Sequence, residues 1–192
     1  MNLKEDTLLQ NGKYRIVRFI NSGGYFAWGE VKPKESYTEE NYAFCHEKTQ
    51  TQLWNFGYGS KKIKVYDDLG ENISGTKYDA AKANWGRNWR MPTKAELEEL
   101  GNKCKWERAV QGGKKGYKVT GPNGNSIFLI IVGSRDGLMN IDFGMYGFCW
   151  SSTVCKDLDF NAYAIYSNSI YDDMYVDGGS RYIGRNIRPV IG

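Results

Sequence analysis

The stretch RMPTKAELEEL at residues 90–100 constrains the fold of this 192-residue chain more than any other segment. Pro92 suits the first turn of a helix, where its missing N–H removes no hydrogen bond. Thr93 and Glu96 have the spacing of a capping box, in which each side chain accepts the backbone N–H of the other residue. The apolar positions that share one helical face are Ala95, Leu97, Leu100 and Cys104. We therefore predict a helix over residues 93–102 that packs one face against a core.

A second, shorter helix is predicted upstream, over residues 76–84. Ser74 or Thr76 can serve as its N-cap, because a hydroxyl oxygen accepts a free N–H of the first turn. Tyr78 and the alanines that follow it supply an apolar face. The helix is expected to end at the Trp-Gly pair of residues 85–86.

The remaining regular structure is predicted as strands, because short apolar or alternating runs are bounded by glycine-rich turns. The expected strands are residues 13–20, residues 106–110, GYKVT, SIFLIIV, FCWSS, NAYAIYS and NIRPVI. The segment GPNGN between two of them carries an Asn-Gly hairpin signal. Residues 34–62 show no sustained period, so we predict a loop with short pieces of structure there. The rest of residues 133–192 is expected to form long loops rich in glycine and aspartate.

Charge and hydropathy exclude several classes of partner. The chain has 26 Lys and Arg against 22 Asp and Glu, a net charge of +4 that is spread along the sequence. Without a basic block, nucleic acid is not expected as a partner. No apolar run is long enough for a signal-peptide core or a membrane span, so no membrane insertion is expected. The expected locations are therefore the cytoplasm, display by a non-Sec route, or a phage particle.

Few residues are suited to metal binding or covalent chemistry. The cysteines Cys45, Cys104, Cys149 and Cys155 form no CxxC pair, and His46 is the only histidine. Neither a zinc site nor a cofactor is therefore expected. The thiols are predicted to be reduced, with a Cys45–Cys104 bridge as the alternative in an oxidising compartment. His46 has no orienting partner visible in the sequence, so no nucleophilic catalysis is predicted.

Two further motifs, one kinase-like and one rich in aspartate, do not support the functions that they suggest. The triplet DFG at residues 142–144 spells the magnesium-binding motif of protein kinases, and residues 8–26 look like a kinase's first strand and glycine-rich loop. Neither a VAIK-type strand nor an HRD-type loop accompanies them, so kinase activity is not predicted. Asp172, Asp173 and Asp177 match no calcium-binding template, so a solvated loop is expected there.

Aromatic residues are concentrated among the Gly, Ser, Asn and Asp of the last third of the chain. They are Phe143, Tyr146, Phe148, Tyr163, Tyr166, Tyr171, Tyr175 and Tyr182. Some of these side chains must be core. An excess at the surface would form a patch that contacts a ligand, since rigid aromatics give large contact area at low entropic cost.

Six phrases in order carry a resemblance to a known family. They are GGYFAWGEVKPKESYTEENYAFC, YDAAKANWGRNWRMPTKAELEEL, GYKVTGPNGNSIFL, FCWSST, NAYAIYS and GRNIRPV. Over about residues 22–190 they resemble the Fibrobacter succinogenes major paralogous domain family, which is abundant in gut Bacteroidetes. The phrase RMPTKAELE is also similar to RLPTEAEWE of formylglycine-generating enzymes, whose fold is a variant of the C-type lectin fold.

The resemblance implies an α+β class and a C-type-lectin-like fold. Two short helices would flank small twisted antiparallel sheets and support a large irregular half. Residues 1–21 would be an N-terminal strand and lead-in, and residues 22–192 a single domain. The frame residues would be Trp28, Trp85, Trp89, Leu97, Leu100, Trp150, Arg188 and Pro189. The family has FLPAAG where this chain has FLIIVG at residues 128–133, which predicts a changed course after Leu129.

The resemblance also implies a function. Relatives in this family serve as variable proteins of diversity-generating retroelements, in which adenine-templated mutagenesis randomises codons near the C-terminus. A non-enzymatic module is implied, without cofactor or metal, that binds a protein or glycan target through residues 134–186. The candidate contacts are Ser134, Leu138, Met139, Ile141, Phe143, Met145, Phe148, Tyr171, Asp173, Met174, Val176, Tyr182, Ile183 and Asn186.

Two alternatives remain open from the sequence. One is a cell-surface or phage-tail adhesin domain of the same fold that is not diversified. The other is an oxidase of the formylglycine-generating type, which would need Cys149 and Cys155 close together in a cleft. Cys149 occupies a position where the family usually has an aromatic residue.

Overall fold

The computed structural model describes residues 24–54, 57–86 and 88–191, together with the backbone of residues 15–16. Its helices are α1 (Ala80–Trp85) and α2 (Lys94–Lys103). Its strands are β1 (Arg15–Ile16), β2 (Cys45–Trp54), β3 (Gly57–Tyr66), β4 (Trp89–Arg90), β5 (Lys105–Gln111), β6 (Lys114–Thr120), β7 (Ser126–Ile130), β8 (Ser134–Asp136), β9 (Met139–Ile141), β10 (Tyr146–Val154), β11 (Asn161–Asn168), β12 (Asp173–Ser180) and β13 (Val190–Ile191).

These strands form small antiparallel sheets, so the predicted α+β class is confirmed. The sheets have the orders β1-β13-β4, β2-β3, β5-β6-β7, β8-β9 and β10-β11-β12. The hairpins predicted after residues 106–110 and through GPNGN join β5 to β6 and β6 to β7. In the predicted N-terminal strand, residues 13–14 and 17–20 lie outside the described residues.

Helix α2 begins as its sequence predicts. The Thr93 hydroxyl accepts the N–H of Glu96 at 3.3 Å, and the Glu96 carboxylate accepts the N–H of Thr93 at 2.7 Å. Arg90 donates to both oxygens of the same carboxylate, at 2.6 and 2.8 Å. Burial acts to raise the pKa of Glu96, but the hydrogen bonds from Arg90 and Thr93 outweigh it, so the pKa lies below its ordinary value. The capping box is therefore confirmed and reinforced by an ion pair.

Helix α1 is shorter than predicted, and its N-cap is neither Ser74 nor Thr76. The cap is Asp79, a carboxylate with 0% exposure. Within 2.7–3.2 Å its oxygens accept the backbone N–H groups of Gly75, Ala81, Lys82 and Met91. Since Met91 lies just before α2, one side chain ties the start of α1 to the segment that leads into α2.

The β2–β3 ribbon corrects the prediction that residues 34–62 are mostly loop. Its two strands pair along their full length, from Cys45 opposite Tyr66 to Trp54 opposite Gly57. Every side chain from His46 to Leu53 is exposed. Because neither face of the ribbon is buried along most of its length, no alternation of apolar and polar residues marks it in the sequence.

Strand β12 is a second correction, because residues 173–180 were expected in a loop. It pairs with β11 over eight residue pairs, from Asn161 opposite Ser180 to Asn168 opposite Asp173. The predicted strand NIRPVI is shorter than expected, since only its last two residues form β13. The course after Leu129 runs through the interior, where Ile131 and Val132 are buried.

The buried frame is centred on two tryptophans. Trp28 and Trp150 are 1% and 0% exposed, and their indole N–H groups donate to Ser151 O at 2.9 Å and Phe26 O at 2.8 Å. Of the predicted frame residues, Leu97, Leu100, Arg188 and Pro189 are also buried, whereas Trp85 and Trp89 are half-buried. This frame carries the β10-β11-β12 sheet and the turns beyond it.

Candidate functional site

The β10-β11-β12 sheet has two different faces, and α2 covers one of them. A methyl group at Gly101 of α2 would lie 3.8 Å from Ile165 Cδ1. Ile165 lies opposite Val176 in the ladder, so both point toward α2. Met174, two residues from Val176, shares that face. Met174 and Val176, both predicted contacts, are therefore half-buried on the helix side of the sheet.

An aromatic row lines the opposite face of the sheet, and it consists of Tyr146, Phe148, Tyr166 and Tyr175. The ring centroids of Tyr146 and Phe148 are 5.6 Å apart in a stacked pair. Phe148 meets Tyr166 edge to face at 5.0 Å, and Tyr166 stacks on Tyr175 at 5.1 Å. The row runs from buried Phe148 to Tyr175, which is 40% exposed. It leads from the core to the surface.

Arg185 lies over the buried end of the aromatic row. Its guanidinium carbon is 5.0 Å from the ring centroid of Phe148, 4.5 Å from Trp150 and 4.8 Å from Tyr166. A Cβ at Gly179 would come within 2.3 Å of the guanidinium, so any larger residue there would displace Arg185 from this position. Burial lowers the pKa of Arg185, although Tyr166 opposes that effect.

A groove of about 380 Å³ opens beside this arginine. Four of the predicted contacts line it, namely Ser134, Ile141, Phe148 and Ile183. Its other lining residues include Asp142, Phe160, Tyr166, Gly179 and Arg185. The groove is thus walled by β8, β9 and the aromatic row.

Next to the groove, three turns expose large apolar side chains, which we call the apolar rim. Its members are Leu138, Met139, Phe143, Met145, Ile170 and Tyr171, of which Met145 is the least exposed, at 44%. Leu138 lies in the β8–β9 turn and Met139 is the first residue of β9. Because β9 has only three residues, Met139 lies about 7 Å along the strand from Ile141, which lines the groove. The other two turns are tied together by Ser169, whose N–H and hydroxyl both donate to Met145 O at 2.8 Å.

The candidate contacts therefore fall into several groups. Leu138, Met139, Phe143, Met145, Tyr171 and Asp173 are exposed, and Ile141 is half-buried. Ser134, Phe148 and Ile183 have buried side chains, so they line the groove instead of the outer surface, and their role as contacts stays a prediction. Tyr182 packs against the core cluster of Ala27, Tyr37 and Tyr42. Asn186 is half-buried, with its amide donating to Gly24 O at 3.5 Å.

Sequence reasoning missed several residues of this face. Tyr166 and Tyr175 belong to the predicted group of aromatic residues but not to the predicted contacts. Ile170 and Arg185 belong to neither set. Arg185 belongs to the phrase GRNIRPV, which looks like frame sequence, and only the folded chain brings it over Phe148 and Tyr166.

His46 has a partner that the sequence did not reveal. Its Nε2 lies 3.0 Å from the carboxylate of Asp67, on an exposed part of the ribbon base. The adjacent Cys45 has a raised pKa, first because of burial and then because of the charge of Glu39. A raised pKa disfavours the thiolate nucleophile, so this pair does not resemble an activated Cys-His arrangement.

The cysteines that the oxidase alternative requires are apart. All four cysteines are free thiols, so the Cys45–Cys104 bridge is not formed. Cys149 pairs with Ile165, and the N–H of Cys155 donates to Asn161 O at 3.0 Å. Those two β11 positions are separated by about 14 Å along the strand. Two thiols this far apart neither bridge nor share a small site.

Cys149 is expected to resist alkylation at pH 8. Burial raises the pKa of its thiol to about 11, against the opposing effect of the Arg188 guanidinium. At pH 8 about one molecule in a thousand then carries the thiolate, compared with about one in four for a thiol of ordinary pKa. Mass spectrometry after iodoacetamide treatment should show Cys149 labelled at least tenfold more slowly than in urea-unfolded protein. Equal labelling rates would contradict the burial of this thiol.

Comparison with protein families, with curated proteins and with solved structures gives no significant match to this chain. Within the described residues, neither helix is long and apolar enough to cross a membrane. The features of the molecule that bear on function are therefore the groove, the apolar rim and the resemblance of the six sequence phrases.

Proposed function

We propose that this chain is a non-enzymatic binding module with a C-type-lectin-like fold, related to the variable proteins of diversity-generating retroelements. The observation that carries the proposal is the apolar rim, in which large apolar side chains are exposed on turns next to a groove. The target is a protein or a glycan, held against the rim and the groove. The buried frame around Trp28 and Trp150 supports this face.

The exposed side chains favour binding over a purely structural role. Burying a Leu, Met or Phe side chain contributes about 1.5–3 kcal/mol, and in the free protein the rim leaves most of that unused. Clustered apolar groups with polar surroundings are typical of interaction surfaces. Tyr171 and Phe143 are suited to this role because a rigid aromatic loses little entropy when it is covered.

Diversification is supported by the separation of rim from frame. Substitutions at exposed positions away from caps and special backbone conformations change stability by only about 0.5 kcal/mol. The positions that can vary without unfolding the chain are therefore Leu138, Met139, Phe143, Met145, Tyr171 and Asp173. Ser134, Phe148 and Ile183 are buried and belong with the fixed residues.

The decisive test is to sequence the DNA beside the gene. We expect a reverse transcriptase and a near-copy of the 3′ coding end that differs from it only at adenines. Sequencing the gene from a population should then show changes at the exposed codons and not at the codons of Phe148 or Trp150. If neither a template repeat nor clustered variation is found, the diversification proposal fails and a fixed adhesin domain of the same fold becomes the better assignment.

Tolerance of the rim can be measured without knowing the target. The combined substitution of Leu138, Met139, Phe143 and Met145 by serine should change the free energy of unfolding by less than about 2 kcal/mol, because each of these exposed side chains contributes about 0.5 kcal/mol or less. The single change Phe148→Ser should cost about 3 kcal/mol or more, since Phe148 is 5% exposed. Urea denaturation followed by tryptophan fluorescence measures both. A larger loss from the fourfold variant would show that the rim is part of the core.

A further inference from the structure

Two buried arginines of the same segment differ in how their charge is satisfied. Arg181 is 1% exposed and lies among Trp28, Tyr42 and Tyr66. It also donates to Asp67 O at 3.1 Å, to Asp159 O at 2.9 Å and to the Tyr42 hydroxyl at 3.0 Å. Aromatic rings and three oxygens therefore surround this cation, whose Nη2 alone has no acceptor among the described residues, and it is part of the frame.

Arg185 has the rings but fewer oxygens, among them the hydroxyl of Tyr166 and the more distant charge of Asp142. It is 7% exposed, and its Nε and Nη1 atoms have no hydrogen-bond acceptor among the described residues. No carboxylate of the described residues lies within 4.0 Å of its guanidinium. Each buried donor left without an acceptor costs about 1–3 kcal/mol, which cation–π contacts of about 0.5–2 kcal/mol offset only in part. The site can therefore take a further acceptor at Nε and Nη1, which no side chain of the described residues supplies.

The groove has space for a hydrogen-bond acceptor beside Arg185. Arg185 and Gly179 both line it, and the absence of a side chain at Gly179 leaves room for the guanidinium. At about 380 Å³ the groove is within the range of small-molecule sites. The planar guanidinium fork matches a carboxylate or another oxyanion with two parallel hydrogen bonds.

The other residues that line the groove determine which kind of oxyanion fits it best. Phe148, Tyr166 and Ile183 present apolar surface to the groove, which suits an organic body attached to the anion. Asp142 also lines the groove, and a negative charge there disfavours a dianion such as phosphate more than a single carboxylate. A compact monoanion with an apolar or ring-shaped body is the best match to these walls.

We infer that this groove is a binding site for a small organic carboxylate, with Arg185 as the residue that receives it. The inference deepens the proposed function and rests on it in one respect, namely that the same face of the molecule is used for binding. The carboxylate would accept hydrogen bonds from the guanidinium while its body lies against Phe148 and Tyr166. Arg181 remains structural.

The test is titration of the full chain with benzoate, D-glucuronate and inorganic phosphate, followed by calorimetry and by amide chemical shifts. We expect saturable binding of at least one carboxylate, stronger than that of phosphate, and no binding of the neutral partners benzyl alcohol and D-glucose. Comparing the affinity for benzoate with that for glucuronate shows whether the groove prefers an aromatic or a sugar body. Absence of saturable carboxylate binding, or phosphate binding as strongly as the carboxylates, would overturn the inference.

Two variants assign the binding to Arg185. Arg185→Gln should weaken carboxylate binding about tenfold or more, because the charged fork is lost. Asp142→Asn should strengthen it about threefold by removing a negative charge from the groove. Asn tolerates the left-handed conformation at this position, where φ is 57°, so this second variant keeps its fold even if the first does not. Unchanged affinity in Asp142→Asn would count against the site.

Failure of this inference is distinguishable from failure of the proposed function. Rim codons that vary in a population, in a protein that binds no carboxylate, would overturn only the groove site. A protein that binds a carboxylate through Arg185 but has neither template repeat nor variable rim would retain the groove site and lose the diversification proposal.

Discussion

Replacing Asp79 by alanine is expected to lower the free energy of unfolding by about 3–5 kcal/mol, because four buried or part-buried N–H groups lose a charged acceptor at once. The carboxylate is 0% exposed, so water cannot take its place without rearrangement of the fold. Met91 and the start of α1 would lose their connection together. Urea denaturation monitored by circular dichroism measures the change.

Two controls separate the carboxylate's hydrogen bonds from a general effect of mutation. Asp79→Asn keeps one acceptor oxygen and should lose roughly half as much stability, because only part of the acceptor set is removed. Asp157→Ala removes an exposed carboxylate and should change stability by less than about 0.5 kcal/mol. A loss below about 1 kcal/mol in Asp79→Ala would contradict the role assigned to this residue.

Trp150→Ala should be comparably damaging, with an expected loss of about 3–5 kcal/mol. The indole is 0% exposed, donates to Phe26 O and lies beneath Arg185 at 4.5 Å. Its removal leaves a cavity below the floor of the groove, so the aromatic row loses its support. Thermal and urea denaturation should both report the loss.

The matched variant Trp150→Phe keeps a ring beneath Arg185 but lacks the indole N–H. This variant should lower the free energy of unfolding by about 1–2 kcal/mol. That loss measures the hydrogen bond to Phe26 O together with the smaller ring volume, while the ring beneath Arg185 is kept. Tyr58→Ala, at a side chain that is 80% exposed, should be nearly neutral. If Trp150→Ala were no worse than Tyr58→Ala, the frame described above would be incorrect.

The parts of the fold that local sequence determines were predicted well. The start of α2 needs only Thr93, Glu96 and the Pro92 before them, and all three lie within five residues. The β5–β6 and β6–β7 hairpins likewise depend on turn residues next to the strands. At residues 112 and 113, for example, two glycines with positive φ form the first of these turns.

What the sequence did not predict depends on distant contacts. The ribbon of β2 and β3 has no buried stripe, so no periodicity marks it. Asp79 falls inside the predicted helix over residues 76–84 and not at its N-cap. The hydrogen bond that it accepts from the N–H of Met91 spans 12 positions, so no local pattern indicates it. The aromatic row depends on the register that sets Tyr166 opposite both Phe148 and Tyr175, and no local pattern specifies that register. The groove could not be predicted for the same reason.

The pairing of β1 with β13 has a mechanical consequence. Arg15 lies opposite Ile191 and Ile16 opposite Val190, so the first described strand and the last one meet side by side. Residues 15 and 191 lie at the same end of this short antiparallel ladder. Tension applied through them would therefore break its hydrogen bonds one after another, instead of loading all of them at once. This short ladder would therefore open before the force reached the core around Trp28 and Trp150.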